Sequence, residues 1–193
     1  MKSYKRSAAS LLVTTSVSLG ASYDESVDGD LSNDRLSTTM ITLDAASNPV
    51  SGSVTAQTLQ SPLDRDYFSV TVPAGRSLTQ IQFERYESSN PRAFIGMLAG
   101  SVFSIDPDNP TTDGLLGYLH IGEQAIPSDI LDDLRGSFGP TRFQSPLAAG
   151  TYSFWVNQTE AALTEYTFNF VTIPEPHSMV AAAGLGLILR RRR

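Results

Sequence analysis

The chain predicts an all-β domain: an antiparallel β-sandwich of jelly-roll-like form, with one short helix, set between two end segments of different character. Three observations lead there. Apolar and polar residues alternate with period two in several short stretches, as in strands with one buried face. Gly, Pro, Asn and Asp punctuate those stretches at turn spacing. The 193 residues are 40% apolar and 18% charged with no cysteine, which suits one domain that relies on a packed core and not on disulfides.

In chain order, strands are expected at Thr39 to Leu43 and Val50 to Thr55. Asp66 to Val72 follows, with Phe68, Val70 and Val72 on one face, and ends at Pro73-Ala74-Gly75. Leu78 to Arg85 turns Ile81 and Phe83 inward against Gln80, Gln82 and Glu84. Ala93 to Leu98, Val102 to Ile105 and Leu116 to Ile121 come next. Pro127 to Leu134 is the helix, with Ser128 or Asp129 near its start and Gly136 as its stop. Thr151 to Asn157 aligns Tyr152, Phe154 and Val156, and Glu165 to Phe170 aligns Tyr166, Phe168 and Phe170. Eight or nine strands at this spacing indicate a sandwich over residues 23–172.

The two ends carry addresses. Residues 1–22 place Lys2, Lys5 and Arg6 before an apolar stretch with Leu11, Leu12, Val13, Val17 and Leu19, then small Gly20-Ala21-Ser22. This is the layout of a signal peptide, with cleavage after Gly20, Ala21 or Ser22. Residues 173–193 run Ile173-Pro174-Glu175-Pro176, an apolar stretch to Leu189, and Arg190, Arg191, Arg192 and Arg193. An apolar helix beside a positive cluster is retained with its charges on the cytoplasmic side, and proline keeps the preceding peptide extended. From His177 to Leu189 a helix spans only about 20 Å against the roughly 30 Å of a bilayer core, so snorkelling of Arg190 and local thinning would have to assist. The competing reading of this segment is a C-terminal helix packed on the domain.

The order Pro-Glu-Pro, apolar segment, Arg cluster resembles the PEP-CTERM sorting signal of exported bacterial proteins. That resemblance implies secretion machinery and an exosortase-type transpeptidase as partners. It also implies transient anchoring in the inner membrane, release or transfer at Pro174, Glu175 and Pro176, and a final place at the cell surface or outside the cell. The usual setting of that family implies an extracellular polysaccharide matrix nearby. A second resemblance covers about half the chain. Asp64-Arg65-Asp66-Tyr67-Phe68-Ser69-Val70-Thr71-Val72-Pro73-Ala74-Gly75, Leu147 to Val156 and Tyr166-Thr167-Phe168 are similar to the bacterial pre-peptidase C-terminal domain. Such domains are accessory β-sandwiches, not catalytic ones, and the stretch between Ser88 and Pro146 is longer than their pattern needs.

Chemistry is sparse. The basic residues crowd the two ends, so the body is strongly acidic and repels phosphate backbones, which excludes nucleic acid as a partner. Lys occurs only at positions 2 and 5, and the body holds one histidine, His120, which reads as a structural residue on a strand. Nucleophile, zinc and phosphate-loop motifs are missing, so no catalytic residue is assigned. A carboxylate-dependent hydrolase is the remaining enzymatic option, with Asp64 and Asp66, or Asp132 and Asp133, as its acids.

Calcium is the better chemical candidate. Asp24, Asp28 and Asp30 with turn-forming Gly29 follow the start of a D-x-[DNS]-x-D-G loop, and Asp34 lies beside the position where Arg35 replaces the usual Glu. The plain alternative is a solvated acidic linker. A second acidic loop, Asp106 to Gly114, reads as an Asx/Pro turn. If Phe68, Phe154 and Leu119 point inward, then Tyr67, Trp155 and Tyr118 point outward and offer rings for stacking on a carbohydrate. Asn157-Gln158-Thr159 is a formal glycosylation sequon. The expectation is thus an exported, non-enzymatic sandwich, with a calcium-dependent or carbohydrate-binding module as the alternative.

Overall fold

In the computed structural model, which describes residues 22–56, 62–136 and 142–175, the period-two stretches become the strands of two five-stranded sheets. The first sheet runs in the order β1 (Tyr23–Asp24), β3 (Ser47–Thr55), β10 (Leu163–Pro174), β5 (Arg76–Ser88) and β8 (Ser128–Asp129). The second runs β2 (Thr39–Thr42), β4 (Arg65–Val72), β9 (Gly150–Asn157), β6 (Ala93–Ala99) and β7 (Gly117–Ile121). Helical structure among the described residues is confined to α1 (Glu25–Asp28), α2 (Leu131–Gly136) and a 3₁₀ turn at Glu123–Ala125.

The alternation sets the core. Phe68, Val70 and Val72 on β4 and Phe154 and Val156 on β9 face Ile81 and Phe83 on β5 and Phe168 and Phe170 on β10, all almost fully buried. Phe170 bridges the sheets, with its ring 6.2 Å from Phe68 and 5.4 Å from Phe154, both edge-on. Such aromatic pairs add about 0.5–1.5 kcal/mol each beyond their area burial. β10 is locked over most of its length between β3 and β5, from Thr164 opposite Ser88 to Pro174 opposite Arg76.

Several expectations change. The sheets are not purely antiparallel: β1 runs parallel to β3, and β2 runs parallel to β4. Both are short edge strands laid down before the main meander, and no tight hairpin forces them antiparallel. Val102 to Ile105 is not a strand. It belongs to the long connection from β6 to β7, whose Phe103 and Ile105 are buried against the outer face of the second sheet. α2 begins later than expected because Ser128–Asp129 pairs with β5, and Asp129 Oδ1 then accepts from Leu131 N at 3.1 Å and from Ile81 N at 3.0 Å. The last strand passes the expected limit at residue 172. It runs through Ile173 and Pro174, and Glu175 N donates to Gly75 O at 2.8 Å.

The expected outward direction of Tyr67 and Trp155 is seen, but their expected exposure is not. The β6–β7 connection folds over that face, leaving Tyr67 1% and Trp155 6% exposed in a second apolar cluster with Leu98, Phe103, Ile105 and Leu115. Trp155 stands 4.8 Å from the Phe94 ring and 5.7 Å from Phe103, and Tyr67 stacks on it at 6.2 Å. Burial pushes the Tyr67 hydroxyl up to about 12, against the opposing pull of Arg65. The physical reason is area: a row of large rings on one sheet face is worth covering when a long connection is at hand.

Candidate functional site

The densest group of chemistry-bearing side chains lies where the N-terminal segment crosses the first sheet. Asp24 caps the single turn of α1, its Oδ1 accepting from Ser26 N at 2.9 Å and from Ser26 Oγ at 2.7 Å. Asp28 Oδ2 accepts from Asp24 N at 2.9 Å and closes the turn. Gly29 then reverses the chain at φ +98°, a left-handed conformation that favours glycine, and Tyr23 donates to its carbonyl at 2.8 Å. Leu31, 1% exposed, anchors the end of the loop in the core.

Glu25 is held from both sides. Its Oε1 accepts from Leu31 N at 2.9 Å, and its Oε2 accepts from Ser53 N at 2.7 Å and Ser53 Oγ at 3.2 Å. β1 pairs with β3 only at Val50 and Ser51, so the Ser53 amide further along β3 is met by this carboxylate instead of a strand.

Asp66 comes from the opposite sheet. Period two places it on the same face of β4 as Phe68, so its carboxyl points into the interior, with 0% of the residue exposed. Tyr166 donates to its Oδ2 at 2.5 Å. Gly52, opposite Tyr166 on β3, makes this contact possible, because a Cβ there would lie 2.6 Å from the Tyr166 oxygen and 2.8 Å from Asp66 Oδ2. The other oxygen, Asp66 Oδ1, is buried without a hydrogen-bond partner among the described residues.

Glu25, Asp30 and Asp66 each bring one carboxylate oxygen within 4.8 Å of the other two. The charges resist this. Burial first, and Glu25 second, push the Asp66 carboxyl well above the ordinary carboxylate range. Burial likewise raises Glu25, and it raises Asp64 with a further push from Asp30. Tyr166 is raised well above its usual value by burial and by Asp66. A solvent-open cavity of about 430 Å³ adjoins the group and is lined by Asp24, Glu25, Asp30, Ser53, Arg85 and Glu165 among others. Arg85, on its rim, is engaged with Glu87 at 3.0 Å and Glu165 at 2.5 Å. Oxygen donors so crowded can share protons or hold a hard cation.

Of the four aspartates expected to wrap calcium, only Asp30 stands in this group. Asp24 lines the cavity but spends its carboxylate on the α1 cap, Asp28 closes the turn, and Asp34 Oδ1 accepts from Leu36 N at 2.9 Å in a separate Asx turn. The one-turn helix converts the alternating ligands of an extended loop into caps, so the linear motif does not form. Glu25 was missing from the sequence reading as a ligand, and Asp66 was paired there with Asp64 as a hydrolase acid and not with the acidic loop. For Asp66 the signal was present: a carboxylate two residues before Phe68, on the core side of a strand.

The other expected sites fall apart in space. Asp66 is core-facing and not in a turn, while Asp64 is half-buried and accepts from Asn33 Nδ2 at 3.1 Å. Asp132 and Asp133 are exposed on α2, with Asp132 3.5 Å from Arg135. Tyr67 and Trp155 have no ring face free for a sugar, and half-buried Tyr118 stacks on Phe94 at 6.1 Å. His120 is exposed on β7, its ring edge-on to Phe94 at 6.0 Å. In the second acidic loop, Asp106 Oδ1 accepts from Asp108 N at 3.0 Å, the Asx turn expected there. Asn157 of the sequon is 7% exposed. In the sorting motif, Pro174 pairs with Arg76 and Glu175 accepts from Ser77 Oγ at 3.3 Å. Pro176, Arg190 to Arg193 and the signal segment up to residue 21 lie outside the described residues. No described helix is long and apolar enough to cross a membrane.

No family model, no curated protein and no solved structure matches the chain, so the chemistry of this acidic group is read from its own residues.

Proposed function

We propose that the protein is an exported, non-enzymatic β-sandwich module, delivered by its N-terminal segment and sorted at Pro174-Glu175-Pro176 to the cell surface or the extracellular polysaccharide matrix. The strand order supports a jelly-roll body: β3-β10-β5-β8 lies opposite β4-β9-β6-β7, with β1 and β2 added at the edges. The two stretches similar to the pre-peptidase C-terminal domain are neighbours in it, β4 pairing with β9 from Arg65 opposite Asn157 to Val72 opposite Gly150.

One observation carries the reading. Among the described residues the last strand ends at Pro174 against Arg76, with Glu175 on Gly75, before the apolar stretch of the sequence begins. A described body that closes at the Pro-Glu-Pro suits processing at that point. The non-enzymatic part rests on the sequence inventory, with no cysteine and one histidine in the body.

Fractionation and intact mass of the protein from its own host test this. The expected result is a body outside the cell that lacks both end segments, and retention or processing that changes when Arg190 to Arg193 are deleted. An unprocessed chain inside the cell, or a deletion that leaves mass and location unchanged, overturns it.

A further inference from the structure

We propose that Glu25, Asp30 and Asp66 form a calcium site that pins the segment following β1 onto the sandwich. The spacing fits the ion. Two oxygens each about 2.4 Å from a calcium ion stand at most about 4.8 Å apart. The three carboxylates already meet that limit. Magnesium demands a near-ideal octahedron, whereas calcium takes six to eight oxygens in a flexible arrangement, so carboxylates drawn from separate elements suit the less exacting cation.

The ligands are also prepared. Metal-binding carboxylates are themselves held by hydrogen bonds. Glu25 is fixed through both oxygens, Oε1 by Leu31 N and Oε2 by Ser53 N and Oγ, and Oε1 keeps a lone pair for a metal. Asp66 is fixed through Oδ2 by Tyr166, while Oδ1 is buried and has no donor among the described residues. An interior carboxylate oxygen without a partner is costly and rare, and a bound cation is one of the few things that satisfies it. This orphan oxygen is independent of the clustering and points to an occupant.

Charge leads to the same conclusion. Three carboxylates meet beside a cavity whose rim arginine is already shared by Glu87 and Glu165. The cavity opens to solvent, so water can complete the six to eight oxygens that calcium takes. The ligands come from α1, from the loop after it, and from β4 in the other sheet. A cation there cross-links the N-terminal segment to the second sheet, so its loss frees that segment first.

Calorimetry and thermal unfolding of the full chain, stripped with chelator and titrated with calcium chloride, test the site. Saturable one-to-one binding and a higher unfolding temperature are expected, with magnesium chloride binding at least tenfold more weakly. Asp30 is exposed, so Asp30→Asn should fold normally and lose at least tenfold in calcium affinity, whereas Asp34→Asn should bind like the parent. Calcium should also slow limited proteolysis between residues 22 and 31. Absence of calcium heat and of any thermal shift overturns the proposal, as does an Asp30→Asn variant that binds like the parent. Magnesium binding as tight as calcium overturns the choice of ion.

Discussion

Two segments fold back over this sandwich, and they cover it with opposite chemistry. The connection from β6 to β7 lays Phe103, Ile105 and Leu115 over Tyr67 and Trp155, and backbone contacts such as Phe103 N to Arg35 O at 2.8 Å tie it down. The segment from β1 to Leu31 lays Glu25 and Asp30 over the buried Asp66. The first cover removes apolar area from water, and the Tyr67 hydroxyl and Trp155 Nε1 are buried beneath it without a hydrogen-bond partner among the described residues but carry no charge. The second brings like charges together and leaves a buried oxygen unsatisfied, which is an arrangement that requires a proton or a cation. A covered face thus serves stability in one place and binding in the other, and the side chains alone make the difference.

The sharpest break of this contrast is Trp155→Ala. Removing a ring buried among Phe94, Phe103 and Tyr67 should cost about 3–5 kcal/mol in denaturant unfolding, equally with and without calcium. A calcium-dependent cost would mean that the two covers are coupled. Next comes Gly52→Ala. Its methyl would press on the Tyr166 oxygen and Asp66 Oδ2, so a loss of about 1–3 kcal/mol is expected, together with weaker calcium binding. An unchanged stability would show that the Tyr166–Asp66 contact yields easily.

The smallest effect is the dependence on pH without divalent cations. Asp66 faces Glu25, Asp30, Asp64 and Tyr166, and both Asp66 and Glu25 have raised carboxyl pKa values. A raised group keeps its proton in the folded state at a pH where the unfolded chain, titrating at about 4, has lost it. The folded state then binds more protons, so stability should be highest at low pH and fall as pH climbs from about 4 through the raised values. Unfolding curves across that range check the sign. Rising stability there would mean that burial, with the neighbouring carboxylates, raises Asp66 and Glu25 less than their setting implies.

Much of this was legible before the fold was seen, for identifiable reasons. Phe68, Val70 and Val72 reveal a buried face by period two, and the same count puts Asp66 on that face. The outward direction of Tyr67 and Trp155 followed from the same rule. Val102 to Ile105 misled because a connection with one covered side alternates like a strand: Phe103 and Ile105 are buried for the same reason a strand residue is. The linear calcium motif misled because Asp24 and Asp28 accept from amides within their own turn, those of Ser26 and Asp24, so their carboxylates serve the one-turn helix.

The sequence by itself determined the long strands, their inner faces, the acidic body and the basic ends, because each depends on residues only a few positions apart. The tertiary structure alone decided which faces were covered and which carboxylates met. Tyr166 and Asp66 are 100 residues apart along the chain and 2.5 Å apart in space. Glu25 reaches Ser53 only because β1 runs beside β3. Such contacts depend on how whole sheets stack and on which segment reaches an edge, and no local pattern carries that information.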